Sequence, residues 1–166
     1  MHRATVDLEA LLRALCEQEI AFVIVGGAAA VLHGAPTTTQ DLDIVPEQSE
    51  ANLDRLLALL QAHDTLVRDP AGRRLEPSPV ALRGRGQMQL LTDLGPLDIL
   101  CRLHDGRGYQ ELAQHSVAIE AGDLNLKVID LPTLIEIKSS TGRVRDRLVV
   151  PLLLALLRER EKPPQG

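Results

Sequence analysis

The chain has 166 residues, a formal net charge of -5, 45% hydrophobic residues and 25% charged residues, the balance of an ordinary globular protein of one domain. Aromatic residues make up only 1%, which argues against base stacking, and the acidic balance lacks the basic surface that long duplex DNA requires. No apolar run approaches the roughly 20 residues that span a bilayer and no signal-peptide pattern opens the chain, so we expect a cytoplasmic protein without membrane contact.

The first part of the chain predicts alternating helices and strands. Leucines recur at helical spacing over Val6 to Glu19, and the β-branched run "AFVIV" from Ala21 to Val25 is typical of a buried strand. A short helix over 28–33 follows, and "DLDIV" at 41–45 is the second strand. Ser49 can cap a third helix with a leucine stripe.

The middle of the chain is richer in strands. Residues 68–86 contain "DPAGRRLEPSP" and "RGRG", which predict loops around a short strand at 80–82. "QMQLL" and "PLDILC" predict two strands joined by a turn, and "GYQELAQHS" predicts a short helix. "VAIEA" and "LNLKVID" then favour a hairpin across Gly122 and Asp123.

Two helices are predicted to close the chain. Pro132 suits the first turn of one of them, Gly142 interrupts it, and a leucine-rich helix over 145–161 follows. The order of elements indicates an α/β (α+β) fold with a mixed sheet flanked by helices. We expect a single domain over 1–166, with a core at about 20–130 and a C-terminal helical part at about 131–161.

Three aspartates lie among apolar residues on predicted strands. Asp41 and Asp43 share a face because side chains alternate along a strand, and Asp98 has apolar neighbours on both sides in "PLDILC". If these strands pair, the carboxylates meet, and two unit charges about 4 Å apart repel by roughly 4 kcal/mol at an effective dielectric near 20. Such a cluster must be protonated, solvated or cation-bound, and its oxygen ligands suit Mg²⁺ or Mn²⁺.

Two glycines precede this acidic pair at a strand-to-helix turn. Without side chains, Gly26 and Gly27 let backbone N–H groups approach a phosphate. Two adjacent glycines alone are weak evidence. Their combination with a short helix, an Asp-apolar-Asp strand and a distant third acid is a much stronger indication.

These motifs together resemble the DNA polymerase beta-type nucleotidyltransferase superfamily, whose pattern is a Gly-Gly or Gly-Ser turn, Asp-x-Asp and a third acid. More closely, the chain is similar to small bacterial nucleotidyltransferases related to the abortive-infection toxins of toxin–antitoxin systems. "VGGAAAVLHGAPTTTQDLDI" matches their N-terminal block, and "LIEIKSSTGRVRDRL" matches a C-terminal Lys helix followed by Gly-Arg-x-x-Asp.

The resemblance implies transfer of a nucleoside monophosphate from an NTP to an acceptor hydroxyl on RNA, tRNA or protein, with a cognate antitoxin as a possible partner. It also implies roles for individual residues. The catalytic and metal-binding residues would be Asp41, Asp43 and Asp98; the nucleotide-binding residues would be Gly26, Gly27, Lys138 and Arg143; Asp146 would complete a second motif.

Other interpretations stay open on the sequence alone. An antibiotic adenylyltransferase would have a small-molecule acceptor, and a non-catalytic nucleotidyltransferase-fold module would only bind a partner. Relatives often carry a basic residue where this chain has Thr37 to Gln40, and Arg83 or Arg85 could supply that charge. His33, on a short apolar helix, is more typical of a packed histidine than of a catalyst.

Overall fold

A mixed β-sheet with packed helices forms the part of the chain that the structure describes, residues 5–84 and 86–165 of a computed structural model. Within those residues there are seven strands: β1 Phe22–Val25, β2 Leu42–Pro46, β3 Leu66–Val67, β4 Gln87–Thr92, β5 Gly95–Leu100, β6 Ser116–Ala121 and β7 Leu124–Ile129. The same residues form seven helices: α1 Leu8–Glu17, α2 Gly26–Leu32, α3 Glu50–Ala62, α4 Pro79–Leu82, α5 Tyr109–Gln114, α6 Leu131–Ser140 and α7 Val144–Glu161. The predicted α/β fold with a mixed sheet and C-terminal helices is confirmed.

The sheet runs in the order β3-β4-β5-β2-β1-β7-β6. Strand β2 pairs antiparallel with β1 and parallel with β5, and β1 pairs parallel with β7. The β2–β5 register places Asp43 directly opposite Asp98, and the β1–β2 register places Val25 opposite Asp43. The predicted pairing of the acid-bearing strands is therefore present, at the centre of the sheet.

Aliphatic side chains fill the core, as the near absence of aromatic residues requires. Helix α1 buries Leu11, Leu12 and Leu15, and the strand pair β1–β2 is almost wholly apolar apart from Asp43. Burying such side chains contributes about 1.5–3 kcal/mol each relative to leaving them exposed. The central strands are thus held by packing on both faces, which gives the acidic pair a rigid base.

A buried asparagine fixes the start of β1 against the end of β2. Ser49 caps α3 by accepting from the backbone N–H of Asn52, at 3.3 Å. The Asn52 amide accepts from the N–H of Ala21 at 2.8 Å and donates to the carbonyls of Ala21 and Glu47 at 2.9 and 2.8 Å. Because its amide is satisfied, this wholly buried polar side chain stabilises the strand pair.

Two local differences from the sequence prediction lie between α3 and β4. The predicted strand at 80–82 is wrong, because Pro79 occupies the first turn of α4 and the Ser78 hydroxyl accepts from the N–H of Ala81, at 3.1 Å. The two-residue strand β3 was not predicted. It pairs antiparallel with β4 at the edge of the sheet.

His33 is packed at the end of α2 and joins it to β7 and α7. Its Nε2 lies 2.7 Å from the carbonyl of Ile129, while Arg160 donates to its Nδ1 at 3.0 Å and to its carbonyl at 2.7 Å. Since arginine only donates, Nδ1 accepts and Nε2 carries the ring proton. Burial lowers the pKa of His33, and the neutral, tied ring agrees with the packed interpretation.

The C-terminal helices α6 and α7 pack on each other and carry the second sequence motif. The leucine stripe of α7 is only partly covered, since Leu153 is fully buried whereas Leu148 is 71% exposed. Cys16 and Cys101 are both free thiols, partly buried and buried respectively. Across residues 5–84 and 86–165, no helix is both long enough and apolar enough to traverse a bilayer.

Candidate functional site

The three predicted acids converge at the centre of the sheet. Asp43 lies on β2 opposite Asp98 on β5, and Asp41 immediately precedes β2. One carboxylate oxygen from each acid lies within 4.8 Å of the others, and Asp98 is only 6% exposed. The sheet therefore gathers three carboxylates into one small volume.

The glycine turn lies against this cluster. Gly26 has a φ of +67°, and a Cβ placed on it would lie 2.1 Å from Oδ2 of Asp43. A Cβ on Gly27 would lie 2.9 Å from the hydroxyl of Thr39. The β1–β2 register explains the contact with Asp43, because Gly26 follows Val25, the partner of that acid. Only glycine at position 26 leaves the Asp43 carboxylate in place.

The crowding of charge changes the acidity of Asp43. Burial raises its pKa to about 7, and the neighbouring charge of Asp41 adds to the rise. The positive charges of Lys138, Arg68 and Arg145 act in the opposite direction but do not cancel it. Near neutral pH, Asp43 therefore holds a proton for much of the time, which a bound cation would displace.

An arginine that the sequence did not single out neutralises part of the cluster. Arg68, directly after β3, hydrogen-bonds through Nη2 to Oδ1 of Asp98, and its Nη1 lies 3.7 Å from Oδ2 of Asp41. The sequence prediction placed residue 68 in a loop. Leu66 and Val67 before it form a two-residue edge strand, which is too short to be recognised from the sequence, and this strand directs the side chain along the sheet toward β5.

Arg83, one of the two arginines considered as compensation for the threonine-rich stretch, pairs with acids of α3. Arg83 contacts Glu50 and Asp54 on α3, at 3.4 and 3.6 Å. Arg85 lies outside the described residues. Arg68, which follows β3, is the arginine that forms ion pairs with the acidic cluster.

Lys138 and Asp146 form a buried ion pair next to the cluster. The Lys138 ammonium donates to Oδ1 of Asp146 at 3.0 Å, and Thr141 donates to Oδ2 at 2.5 Å. Burial raises the pKa of Asp146, but the hydrogen bonds from Thr141 and Lys138 outweigh that effect and lower it overall. Lys138 is only 8% exposed, and its charge acts on Asp43.

Arg143 stands apart from these contacts. It precedes α7 as the N-cap residue and is exposed, and its charge acts on Asp146. Arg145 is the arginine of this segment whose charge acts on Asp43. The structure thus places Lys138 within electrostatic range of Asp43 and leaves Arg143 exposed at the margin. It brings together five of the predicted residues: Gly26, Gly27, Asp41, Asp43 and Asp98.

Comparison with solved structures identifies the fold. No protein-family model matches the sequence, and the comparison with curated proteins finds no match. The lincosamide antibiotic adenylyltransferase LnuA superposes with a TM-score of 0.63 at 12% identity, over 93% of this chain and 99% of LnuA. The chain has the nucleotidyltransferase fold.

Two further nucleotidyltransferase-fold structures support this. An antigenic nucleotidyltransferase-like protein from Paracoccidioides brasiliensis gives a TM-score of 0.59 at 15% identity, over 94% of this chain and 78% of that chain. The antibiotic-resistance factor ANT(2'')-Ia gives 0.55 at 13% identity, over 90% and 82%. At such identities the likeness concerns the fold, so activity has to be inferred from the site.

Within this nucleotidyltransferase fold, the acidic cluster fits a divalent metal. All the donors are carboxylate oxygens, the ligand type that Mg²⁺ and Mn²⁺ prefer, and they are already close enough to share an ion. The raised pKa of Asp43 and the ion pair with Arg68 both indicate negative charge in excess of what the site accommodates. The residues present therefore suit a cation of charge +2.

Proposed function

We propose that the protein is a Mg²⁺- or Mn²⁺-dependent nucleotidyltransferase that moves a nucleoside monophosphate from an NTP to an acceptor hydroxyl. The observation that carries this proposal is the convergence of Asp41, Asp43 and Asp98 beside Gly26 in a nucleotidyltransferase fold. A non-catalytic binding module would not need three carboxylates crowded at such electrostatic cost.

The reaction is an in-line displacement at phosphorus. The acceptor oxygen bonds to the α-phosphorus of the NTP, the bond from that phosphorus to the pyrophosphate oxygen breaks, and the acceptor proton leaves. Asp41 and Asp43 would hold the divalent ions, which supply electrostatic stabilisation of the phosphates when bound. Asp98, which lies opposite Asp43, would share in that binding and would take the hydroxyl proton.

The positive and backbone groups around the cluster would position the triphosphate. The Gly26–Gly27 turn presents backbone without side chains at the acids, so phosphate oxygens can approach it. Lys138 would act as a fixed positive charge held by Asp146. Arg143, exposed before α7, would contact the nucleotide from the rim of the site.

Replacing Lys138 by methionine is expected to raise KM for the NTP or lower kcat, with a total loss of roughly 1–3 kcal/mol, the size of a hydrogen bond to a charged group. Steady-state kinetics would measure the loss, and thermal unfolding would show how much protein remains folded. Lys127→Met is the matched control, because Lys127 is an exposed lysine that contacts Tyr109. If the two variants have equal KM and kcat, Lys138 contributes to the stability of the fold and not to binding of the nucleotide.

Divalent metal and nucleotide are expected to stabilise the protein together. At about 100 times the dissociation constant, a ligand adds roughly 2.7 kcal/mol to the free energy of unfolding, which for a chain of this length raises Tm by about 5–10 °C. Mg²⁺ or Mn²⁺ with an NTP should therefore raise Tm more than either one alone. A calorimetric titration without divalent binding, with or without nucleotide, would contradict the proposed function.

Two separate observations favour two different acceptors. The resemblance to abortive-infection nucleotidyltransferases favours RNA, tRNA or protein as acceptor, and a toxin role with a cognate antitoxin. The likeness to LnuA over nearly the whole length of both chains favours a small antibiotic acceptor as the second candidate. With either acceptor, the proposed NTP substrate and the two free cysteines suit a cytoplasmic location.

Labelled-NTP transfer assays distinguish these acceptors. The protein would be incubated with each α-labelled NTP, Mg²⁺, and separate pools of total RNA, protein, lincosamides and aminoglycosides. Label in RNA or protein supports the toxin role, whereas label in an antibiotic supports the second candidate. The Asp43→Asn variant in parallel shows whether the label depends on this site.

A further inference from the structure

We infer that Arg68 is an internal counter-ion that occupies the metal position of the acidic cluster and moves to the triphosphate when a divalent ion binds. The inference rests on the proposed function and adds to it a coupling between metal and nucleotide. It assigns a positioning role to a residue outside the predicted motifs.

The sheet aligns Arg68 with the acids in one row. The backbone N–H of Arg68 donates to the carbonyl of Gln89 on β4 at 2.8 Å, Gln89 is the register partner of Asp98 on β5, and Asp98 is the partner of Asp43 on β2. Because the side chain extends along this row, its guanidinium reaches Asp98 and Asp41 from the edge of the sheet. The contact is therefore fixed by strand pairing.

The guanidinium and a divalent ion compete for the same carboxylates. Arg68 hydrogen-bonds to Oδ1 of Asp98 and lies near Oδ2 of Asp41, and both residues belong to the three-carboxylate group that fits a metal. A second positive charge at this distance would be repelled by the guanidinium, and a carboxylate oxygen that accepts from arginine is a poorer metal ligand. Metal binding is therefore opposed while Arg68 stays on Asp98, and we expect the side chain to leave as the ion binds.

The side chain is able to leave. Arg68 is 32% exposed, so its charged end has a path to solvent. Its Nε is buried without a hydrogen-bond partner among the residues that the structure describes, so the guanidinium is incompletely satisfied where it lies. The unpaired donor costs free energy in this position, which favours departure of the side chain.

A triphosphate offers the displaced arginine a better partner. The planar guanidinium donates to two phosphate oxygens at once, which a lysine cannot do with the same geometry. When metal binds alone, Arg68 loses its contacts with the carboxylates and gains no other anion in their place. With triphosphate present, the arginine has a new site, so metal and triphosphate each promote binding of the other by the same factor.

Calorimetric titration of Mn²⁺ tests this coupling without any turnover. The proteins would be wild type, Arg68→Met, Arg68→Lys and Arg13→Met, each titrated with and without inorganic triphosphate, which avoids a choice of base. Methionine keeps the apolar stem of Arg68 and removes its charge. Arg13→Met is the matched control, since Arg13 forms a two-bond pair with Asp123 far along the chain and its loss changes net charge equally.

Arg68→Met is expected to bind Mn²⁺ alone at least about tenfold more tightly than wild type, and to lose about tenfold or more of the enhancement by triphosphate, the size of one charged hydrogen bond. Arg68→Lys should keep the competition but lose most of the enhancement, because it lacks the fork. Arg13→Met should match wild type in both titrations. Circular dichroism would establish that each variant is folded. If Arg68→Met is not folded, the effect of triphosphate on Mn²⁺ affinity in Arg68→Lys provides the test.

Unchanged or weaker Mn²⁺ binding by folded Arg68→Met would overturn the inference and leave the proposed function intact, provided that wild type binds Mn²⁺ with triphosphate. Unchanged enhancement in Arg68→Lys and Arg68→Met would likewise overturn it. If neither wild type nor any Arg68 variant binds Mn²⁺ with triphosphate, the proposed function fails as well. Binding by Arg68→Met alone would support the competition in its strongest form.

Discussion

Asp43→Asn is expected to abolish nucleotidyl transfer and to leave the protein more stable than wild type in the absence of metal. The catalytic loss should be at least about 10³-fold in kcat/KM, because a carboxylate that binds the ions contributes several kcal/mol of transition-state stabilisation. Asn keeps the shape of the side chain but not its charge. Single-turnover transfer with labelled NTP would measure the loss.

The gain in stability follows from the titration of Asp43. Its pKa is about 7 in the folded protein against an ordinary value of 3.8, so the folded state binds a proton more strongly than the unfolded chain. The contribution of Asp43 to the free energy of unfolding is therefore greatest below about pH 4, and it falls as the pH rises toward and through 7. Asparagine has no proton to lose in this pH range, so the stability of the variant does not decrease for this reason as the pH rises.

The size of the difference depends on pH. At pH 8 in EDTA, Asp43→Asn should be more stable by roughly 2–4 kcal/mol, since each unit of pKa shift corresponds to about 1.4 kcal/mol. Near pH 4 the two proteins should be almost equally stable. Urea unfolding at both values tests the pattern, with the exposed Asp54→Asn as control. A variant that unfolds, or is less stable than wild type at pH 8, would instead show that Asp43 has a structural role.

The central strands and their acids were predictable because each is specified locally. "AFVIV" is a short apolar run that ends at Gly26, and "DLDIV" is rich in β-branched and apolar residues and ends at Pro46, so both are typical of strands. The alternation of side chains then fixes that Asp41 and Asp43 share a face. Pairing with the Asp98 strand was conditional in the sequence, and it is the β2–β5 register that places Asp43 against Asp98.

Arg68 could not be predicted because its position depends on tertiary pairing. Strand β3 has only two residues, too few for a periodic pattern, and it exists because Leu66 and Val67 pair with β4. The ion pair between Lys138 and Asp146 is also non-local, since the two residues lie on different helices separated by Gly142. The sequence motif included both Lys138 and Asp146, but it did not predict that the two side chains form an ion pair.

Gly26→Ala is expected to disable the site by displacing Asp43 rather than by removing it. The added Cβ would lie 2.1 Å from Oδ2 of Asp43, far inside van der Waals contact, so either the carboxylate or the turn must move. Transfer should fall by about 10²-fold or more, the cost of a displacement of about 1 Å in a catalytic group. Mn²⁺ binding should weaken in parallel, because the displaced carboxylate is one of the ligands.

Backbone strain has to be separated from this clash, and the chain contains a matched glycine for that purpose. Gly26 and Gly122 have similar left-handed conformations, with φ of +67° and +61°, but a Cβ on Gly122 would meet nothing within 4 Å. Gly122→Ala should therefore lose only about 1–2 kcal/mol of stability from the conformation itself and keep full transfer and Mn²⁺ affinity. Gly26→Ala should lose at least as much stability and, in addition, both functions. If Gly26→Ala resembles Gly122→Ala in transfer and metal affinity, activity does not depend on the present position of the Asp43 carboxylate. The metal would then have to be held by Asp41 and Asp98 alone.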